Sequence, residues 1–297
     1  MAGCPDWNQF ATATLEFFVG HGAFSHAQLD QVQNLHPRIK LSIALSLQKR
    51  TGIPLDYRAL LHRVPRAEHA NGRLLYSYLS KLSTTFVTTN YDEWLDEEIP
   101  VPAADLAADT TLPTHPPPKA RTVYYKTHDL TPANLNQENV VMHLHGSVKD
   151  PPGMILTTPQ YVRHYAQNRY ATDDHPENPV LTFLEHLFRH KTVLFIGYGL
   201  TELEILEYVM LKAPVTGNSE LHSAHYLLHG FYSHQRELML NMRNYYHDCG
   251  IELLPFLKDH LGWEQLLTVL ESFACSMPAS RLMVSQDLKE MEALLHG

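Results

Sequence analysis

The chain has 297 residues, of which 44% are hydrophobic, enough to build the core of one large α/β domain or two modest ones. Its 23 basic and 32 acidic side chains give a formal net charge of −9, so no overall positive field favours nucleic acid or an anionic membrane. The three scattered cysteines argue against a disulfide framework and a zinc ribbon, and no apolar run approaches the roughly 18 residues that span a bilayer. We expect a soluble, cytoplasmic protein that binds neither nucleic acid nor membrane.

The first 82 residues are predicted to be mainly helical, because apolar residues recur there at spacings of three and four. A strand at Ser83–Thr89 follows, and then a short helix at Asn90–Glu98. Asn90 and Glu93 stand at the positions of its N-cap and third residue. Residues 100–120 are rich in proline and predict a long surface connection. The predicted helices of the first part are Trp7–Phe18, Ala27–Val32, Ile39–Lys49, Arg58–Leu61 and Arg73–Leu82.

Strands and helices alternate through the rest of the chain. The predicted strands are Thr122–Lys126, Val140–Leu144, Met154–Thr157, Thr192–Ile196, His225–Leu228 and Ile251–Leu254. The predicted helices are Pro159–Gln167, Pro179–His190, Thr201–Leu211 with a capping box of Thr201 and Glu204, His234–Tyr246, Trp263–Phe273 and Ser285–His296. Continuous apolar strands that alternate with helices are typical of a parallel sheet covered on both faces.

The sequence therefore predicts an α/β fold with a Rossmann-like, doubly wound, mainly parallel sheet and a helical cap. We expect one domain over 1–297. Residues 1–82 would be its mainly helical part, 83–280 the Rossmann-like core, and 281–297 a C-terminal helix.

Polar residues follow two of the predicted strands. One strand runs into Thr89-Asn90-Tyr91-Asp92, and a later one ends at His143-Leu144-His145-Gly146-Ser147. Open α/β folds place their sites at the carboxyl ends of parallel strands, so these residues suit chemistry on a polar ligand. Taken singly they have simpler explanations: Asn90 as a helix cap, His145-Gly146 as a turn, and Tyr198 as a packing aromatic.

His143 and His145 lie two residues apart, so in a strand they would share one face, as two zinc ligands can. No third ligand stands at a suitable spacing in the sequence. We therefore expect no metal site.

Four motifs together resemble the SIR2-like domains of bacterial antiphage-defence proteins. They are TTNYD at 88–92, HLHGS at 143–147, LFIGYGLTELEI at 194–205 and GIELLPF at 250–256. The resemblance implies that Asn90 and His145 are catalytic and that Asp92 stands near the NAD site. We assign Asp92 to the catalytic residues too, as the one that holds the arrangement in place. Glu202 stands where the family more often has Asp. The residues that the resemblance implies at the NAD site are Thr89, Tyr91, Gly146, Ser147, Gly197, Tyr198, Gly199 and Glu202.

The resemblance implies hydrolysis of NAD, as a substrate and without a metal, by the effector of an antiphage abortive-infection system. It also implies a homo-oligomer and a defence partner such as a HerA-type ATPase or, as a second choice, a short Argonaute. The alternative is a subunit without catalysis that binds NAD or ADP-ribose or serves as a scaffold. A deacylase that needs no zinc is a third reading, since the chain lacks the four-cysteine module of that branch.

Such domains begin with a strand and a GAGxS-type phosphate loop, followed by a segment similar to Gly3-Cys4-Pro5-Asp6-Trp7. We therefore expect the first strand and the phosphate loop to be missing from this sequence, which would leave neighbouring strand edges uncovered. Oligomer contacts or a partner are expected to cover those edges.

Overall fold

The computed structural model describes residues 3–62, 69–98, 121–166, 178–200, 202–212 and 225–276. Within these ranges the helices are α1 (Trp7–Gly20), α2 (His26–Val32), α3 (Pro37–Thr51), α4 (Tyr57–Leu61), α5 (Ala70–Leu82), α6 (Trp94–Glu98), α7 (Pro132–Leu135), α8 (Thr158–His164), α9 (Pro179–His190), α10 (Leu203–Lys212), α11 (Arg236–Asp248) and α12 (Gln265–Ser276). The strands are β1 (Thr85–Thr88), β2 (Thr122–Tyr124), β3 (Val140–His143), β4 (Leu194–Ile196), β5 (His225–Phe231) and β6 (Ile251–Leu257). The predicted helix Ser285–His296, the connection at 100–120 and the predicted cap Thr201 lie outside the described residues.

The strands form two parallel sheets, with the orders β1-β3-β2 and β4-β5-β6. In the first sheet Thr88 of β1 aligns with His143 of β3, so the polar segments that follow these two strands leave the sheet side by side. In the second, Leu194 of β4 aligns with Tyr226 of β5. Every pairing is parallel, which confirms the predicted α/β fold. Among the described residues, β1 and β4 each pair with one strand only, so the single continuous sheet that we expected is divided there.

Helices cover both faces of the sheets. On one face, Leu228 and Phe256 pack against α12 and, through Leu79, against α5. On the other face, a larger apolar cluster joins Phe195 and Leu227 to α9, α10 and α11. This two-sided burial explains why the strands appear in the sequence as continuous apolar runs.

Helices α1 to α4 form a separate apolar cluster at the carboxyl ends of β1 and β3. Phe10, Phe18 and Leu41 are at its centre, and Tyr91, from the segment after β1, packs into it. These four helices, the cap, lie in the predicted helical part, whereas α5, from the same part, packs against the second sheet. No helix among the described residues is long and apolar enough to cross a membrane.

Two local predictions are wrong. Residues 154–157 are not a strand: Met154 and Leu156 are buried in the cluster of the cap, and the Ile155 amide donates to the His145 carbonyl. Asn90 does not cap a helix, because α6 begins only at Trp94, whose amide donates to Asp92 Oδ1. In both places the apolar or capping pattern was real, but tertiary contacts at the sheet edge decided the backbone path.

Candidate active site

Asn90 lies just beyond the carboxyl end of β1 and is exposed. Its amide donates to Thr88 Oγ1 at 3.0 Å, and its carbonyl oxygen accepts a hydrogen bond from His143 Nδ1 at 2.9 Å. The peptide is thus held from both sides while the side chain faces outward. The side-chain amide of Asn90 can therefore contact a ligand at the sheet edge.

His145 follows β3 and is almost fully buried, with 1% of its surface exposed. Its Nε2 is hydrogen-bonded to the Tyr165 hydroxyl at 2.6 Å, and its Nδ1 lies 3.2 Å from the Tyr161 hydroxyl. The backbone of Thr89, beside Asn90, opposes the lowering of the pKa of His145, so the segment after β1 lies close to the ring. These contacts bring the polar segments after β1 and β3 together, as the sequence predicted.

The turn after His145 requires glycine. Gly146 has a φ of +81°, and a Cβ atom there would lie 2.7 Å from the carbonyl oxygen of Gly153. Ser147 is completely buried and donates to the Tyr91 carbonyl at 3.3 Å. This tight turn fixes the backbone that carries the His145 ring.

Glu202 lies between β4 of the second sheet and α10, and its side chain reaches the surroundings of His145. Its carboxylate accepts hydrogen bonds from Tyr198 at 3.0 Å and from Tyr161 at 3.4 Å, and one oxygen lies 3.5 Å from His145 Nε2. Tyr198 also stacks on Phe195 of β4, so the sequence was right to suggest a packing role for it. The carboxyl ends of β3 and β4 therefore converge on one cluster of polar side chains.

Arg38, on α3 of the cap, reaches across this cluster. Its guanidinium lies 3.6 Å from the centre of the Tyr161 ring, 3.7 Å from Glu202 and 3.4 Å from Glu204. Stacking and ion pairing of this kind restrain an arginine that is largely withdrawn from water. Arg38 is the contact through which the cap touches the acidic side of the site.

The environment keeps the His145 imidazole neutral. Burial, followed by the nearby His164 and Arg38, holds the pKa of His145 well below its ordinary value. Burial also raises the pKa of Glu202, although Tyr198 and Arg38 oppose that shift. The pair thus combines a neutral base with a carboxyl group whose proton is held more tightly than usual.

The structure places the other predicted site residues in two groups. Gly197 and Gly199 are exposed in the turn after β4, and Gly197 has open space around it. Tyr91 is buried, and its hydroxyl donates to the Ile155 carbonyl at 2.6 Å. Asp92, in the same segment after β1, is also buried, and burial raises its pKa. Tyr91 and Asp92 face the interior of the protein, so their contact with a ligand stays a prediction.

Sequence reasoning missed the side chains that enclose His145. His164 and Tyr165 lie three and four residues after Tyr161, which places the three side chains on one face of α8 and its C-cap. That spacing was visible in the sequence, but it does not say which helix face meets β3. Arg38 gave no signal, because its helix is distant in sequence from every site motif.

The described residues offer no group of three or more His, Cys, Asp or Glu side chains placed to hold a metal ion. What the site offers is a neutral imidazole, a carboxyl group, tyrosine hydroxyls and an exposed amide at the edge of a parallel sheet. Such groups can orient a polar ligand, accept a proton and stabilise positive charge.

A family model described as a SIR2-like domain matches residues 84–254, which is more than half of the chain. The match covers Asn90, His145 and Glu202, and it runs from β1 into the first half of β6. No curated protein matches the chain.

Proposed function

The chain belongs to the SIR2-like domain family, whose domains act on NAD, and from that membership we propose that it hydrolyses NAD to nicotinamide and ADP-ribose. One observation carries the proposal beyond the family. His145, whose environment favours the neutral imidazole, follows the strand that is paired with the strand before the exposed Asn90, and it lies 3.5 Å from the Glu202 carboxylate.

The reaction breaks the bond between the nicotinamide nitrogen and C1 of the ribose. The electron pair leaves with nicotinamide, and positive charge develops on the sugar, as in glycoside hydrolysis. Water then forms the new bond to C1 and loses a proton, so that NAD and water give nicotinamide, ADP-ribose and a proton. A site for this step needs a negative or dipolar group near the sugar and an acceptor for the proton.

In the proposed site His145 accepts a proton from the water or from a ribose hydroxyl. Asn90 orients the ribose or the attacking water through its amide, and Asp92 supports the segment that carries Asn90. The glycines at 197 and 199 allow the cofactor to approach the backbone closely. The Glu202 carboxylate accepts a hydrogen bond from a ribose hydroxyl and stabilises the positive charge on the sugar.

Depletion of NAD by such an enzyme would serve as the effector step of an antiphage abortive-infection system. On this proposal the chain works as a homo-oligomer, together with a partner such as a HerA-type ATPase or a short Argonaute. Control by a partner would protect the host cell from unprompted loss of NAD.

A second candidate is a subunit that binds NAD or ADP-ribose without cleaving it. The enclosure of His145 favours this reading, because the Tyr165 hydroxyl occupies Nε2 and only 1% of the residue is exposed. In that case the substrate would not reach the base.

Calorimetric titration with NAD, followed by product analysis of the same sample, separates the two functions. Hydrolysis predicts nicotinamide and ADP-ribose in equal amounts, with neither product formed by Asn90→Ala or His145→Ala. Stable binding with intact NAD recovered from every variant would support the second candidate and overturn the first. Asn244→Ala, which changes an exposed asparagine on α11, is the matched control.

A further inference from the structure

His143 is the histidine that the proposed reaction leaves without a task. Its spacing from His145 in the sequence is that of two zinc ligands on one strand face, but the structure gives the two rings different partners. His145 contacts Tyr161 and Tyr165, whereas His143 contacts the segment that follows β1. Its surroundings therefore need an explanation of their own.

Both ring nitrogens of His143 are engaged. Nδ1 donates to the carbonyl oxygen of Asn90 at 2.9 Å, and Nε2 lies 2.7 Å from Asp96 Oδ1. The other oxygen of Asp96 accepts from Lys149 Nζ, also at 2.7 Å. His143 is only 1% exposed and Asp96 only 8%, so water does not compete with the bond between them, whereas the Lys149 side chain is 35% exposed.

The anchor at Asp96 is an ionised carboxylate. Burial alone would raise the pKa of Asp96, but the hydrogen bonds and charges of His143 and Lys149 outweigh it and hold that pKa below its ordinary value. A charged acceptor makes a stronger hydrogen bond than a neutral one. The chain from Lys149 through Asp96 to His143 therefore fixes the plane of the imidazole.

The hydrogen bond from His143 restrains the backbone of Asn90. Asn90 lies outside any helix or strand, and its side chain is exposed. Its backbone N–H is bonded to Thr88 at the end of β1, the strand that precedes it. The bond from His143 ties its carbonyl oxygen to the neighbouring strand, β3. An active-site amide must be held to within a fraction of an ångström to be useful, and an exposed loop residue does not achieve that by itself.

We propose that His143 is a positioning residue, which holds the peptide of Asn90 through Nδ1 so that the Asn90 side chain meets the ribose in a fixed orientation. The role rests on the proposed function, because it assigns a task to Asn90 in NAD cleavage. His143 itself touches no substrate.

Two substitutions test separately the hydrogen bonds made by the two ring nitrogens. In asparagine the amide nitrogen is as many bonds from Cβ as Nδ1 of histidine, so His143→Asn keeps a donor toward Asn90 and loses the bond to Asp96. In glutamine the amide nitrogen matches Nε2, so His143→Gln keeps a donor toward Asp96 and loses the bond to Asn90. Both variants remove one hydrogen bond from the same buried place, which makes each the control for the other.

Steady-state cleavage of NAD is the first readout. We expect His143→Gln to lower kcat at least tenfold with KM within about threefold of the wild type, while His143→Asn keeps kcat within about threefold. Equal losses in the two variants, or no loss in either, would overturn the positioning role. If the Gln variant does not fold, His143→Ala, which loses both bonds, replaces it. A tenfold lower kcat in the Ala variant than in the Asn variant supports the role, and equal kcat in the two overturns it.

Amide hydrogen exchange is the second readout and does not depend on turnover. His143→Gln should speed exchange in the peptide that contains residues 88–92, and His143→Asn should not. Equal exchange in both variants would overturn the positioning role even if the wild type proved inactive. A wild type that releases no nicotinamide would count against the proposed function, and the exchange comparison would still decide what His143 does.

Discussion

The hydroxyl of Tyr165 lies 2.6 Å from Nε2 of His145 and, with Glu202 at 3.5 Å, closes that side of the imidazole. Tyr165 is itself only 8% exposed and stands at the C-terminal end of α8. The nitrogen that would accept a proton from substrate is therefore occupied by a group of the same chemistry as a ribose hydroxyl. Substrate or water has to replace this hydroxyl for the base to act.

Tyr165→Phe should raise kcat/KM for NAD. The substitution keeps the ring and removes the competing hydroxyl, and a net hydrogen bond of about 1 kcal/mol corresponds to roughly a fivefold gain. Steady-state kinetics measures it, with Tyr245→Phe on the exposed face of α11 as control. A tenfold fall in kcat would show instead that the Tyr165 hydroxyl serves the reaction.

Glu202→Gln should lower kcat by roughly tenfold to a hundredfold, because an amide cannot stabilise positive charge on the ribose as a carboxylate does. Glu204→Gln is the matched control. That residue also pairs with Arg38, but its side chain is 34% exposed, against 16% for Glu202. We expect it to keep kcat within about twofold of the wild type. Equal effects of the two substitutions would assign the loss to Arg38 and remove Glu202 from the reaction.

The protein should lose stability in mild acid. Burial lowers the pKa of His164 to about 4, whereas an unfolded histidine titrates near 6.5. Between these values the unfolded state binds more protons, so the free energy of unfolding falls as the pH drops through that window. His164 alone accounts for roughly 3 kcal/mol of this loss, and above pH 6.5 it contributes nothing to the slope.

Urea unfolding at several pH values tests this. His164→Phe should flatten the dependence between pH 6.5 and 4, while His128→Gln, whose side chain is 77% exposed, should leave it unchanged. An unaltered slope in the Phe variant would mean that His164 is hydrated or paired in solution.

Gly146→Ala should cost about 2 to 4 kcal/mol of folding free energy. Its φ of +81° strains an L-residue, and the added Cβ would meet backbone atoms of Gly153 and Met154 at 2.7 and 3.0 Å. Gly197→Ala is the control, since its φ of +68° gives similar strain in open space and should cost about 1 kcal/mol. Denaturant midpoints measure both. Equal losses would mean that the turn at Gly146 adjusts.

The fold could be predicted from the sequence because helices pack against both faces of its strands, and β3 is buried along its whole length. Runs such as Val140–His143 and Leu194–Ile196 have no polar alternation, and only a covered parallel sheet accommodates them. The same rule failed at Met154–Thr157, where apolar side chains are buried by the helical cap and no neighbouring strand is paired. Apolar residues indicate that a segment is buried, but they do not show whether a helix or a neighbouring strand covers it.

The candidate site could be predicted only along the strands. Asn90 and His145 follow strands that turned out to be adjacent, so the sheet register brings them together. Tyr165 and Arg38 reach the site from helices, and their approach depends on packing angles that sequence spacing does not encode. The network through His143 and Asp96 was missed for a different reason, because α6, which carries Asp96, starts four residues later than predicted.

The most direct test is a time course of nicotinamide and ADP-ribose released from NAD by the purified chain, run beside Asn90→Ala and His145→Ala. The account predicts equimolar release by the wild type and by Asn244→Ala, and a loss of at least a hundredfold in both site variants. Intact NAD after prolonged incubation with every protein, or release that persists in Asn90→Ala and His145→Ala, would contradict it.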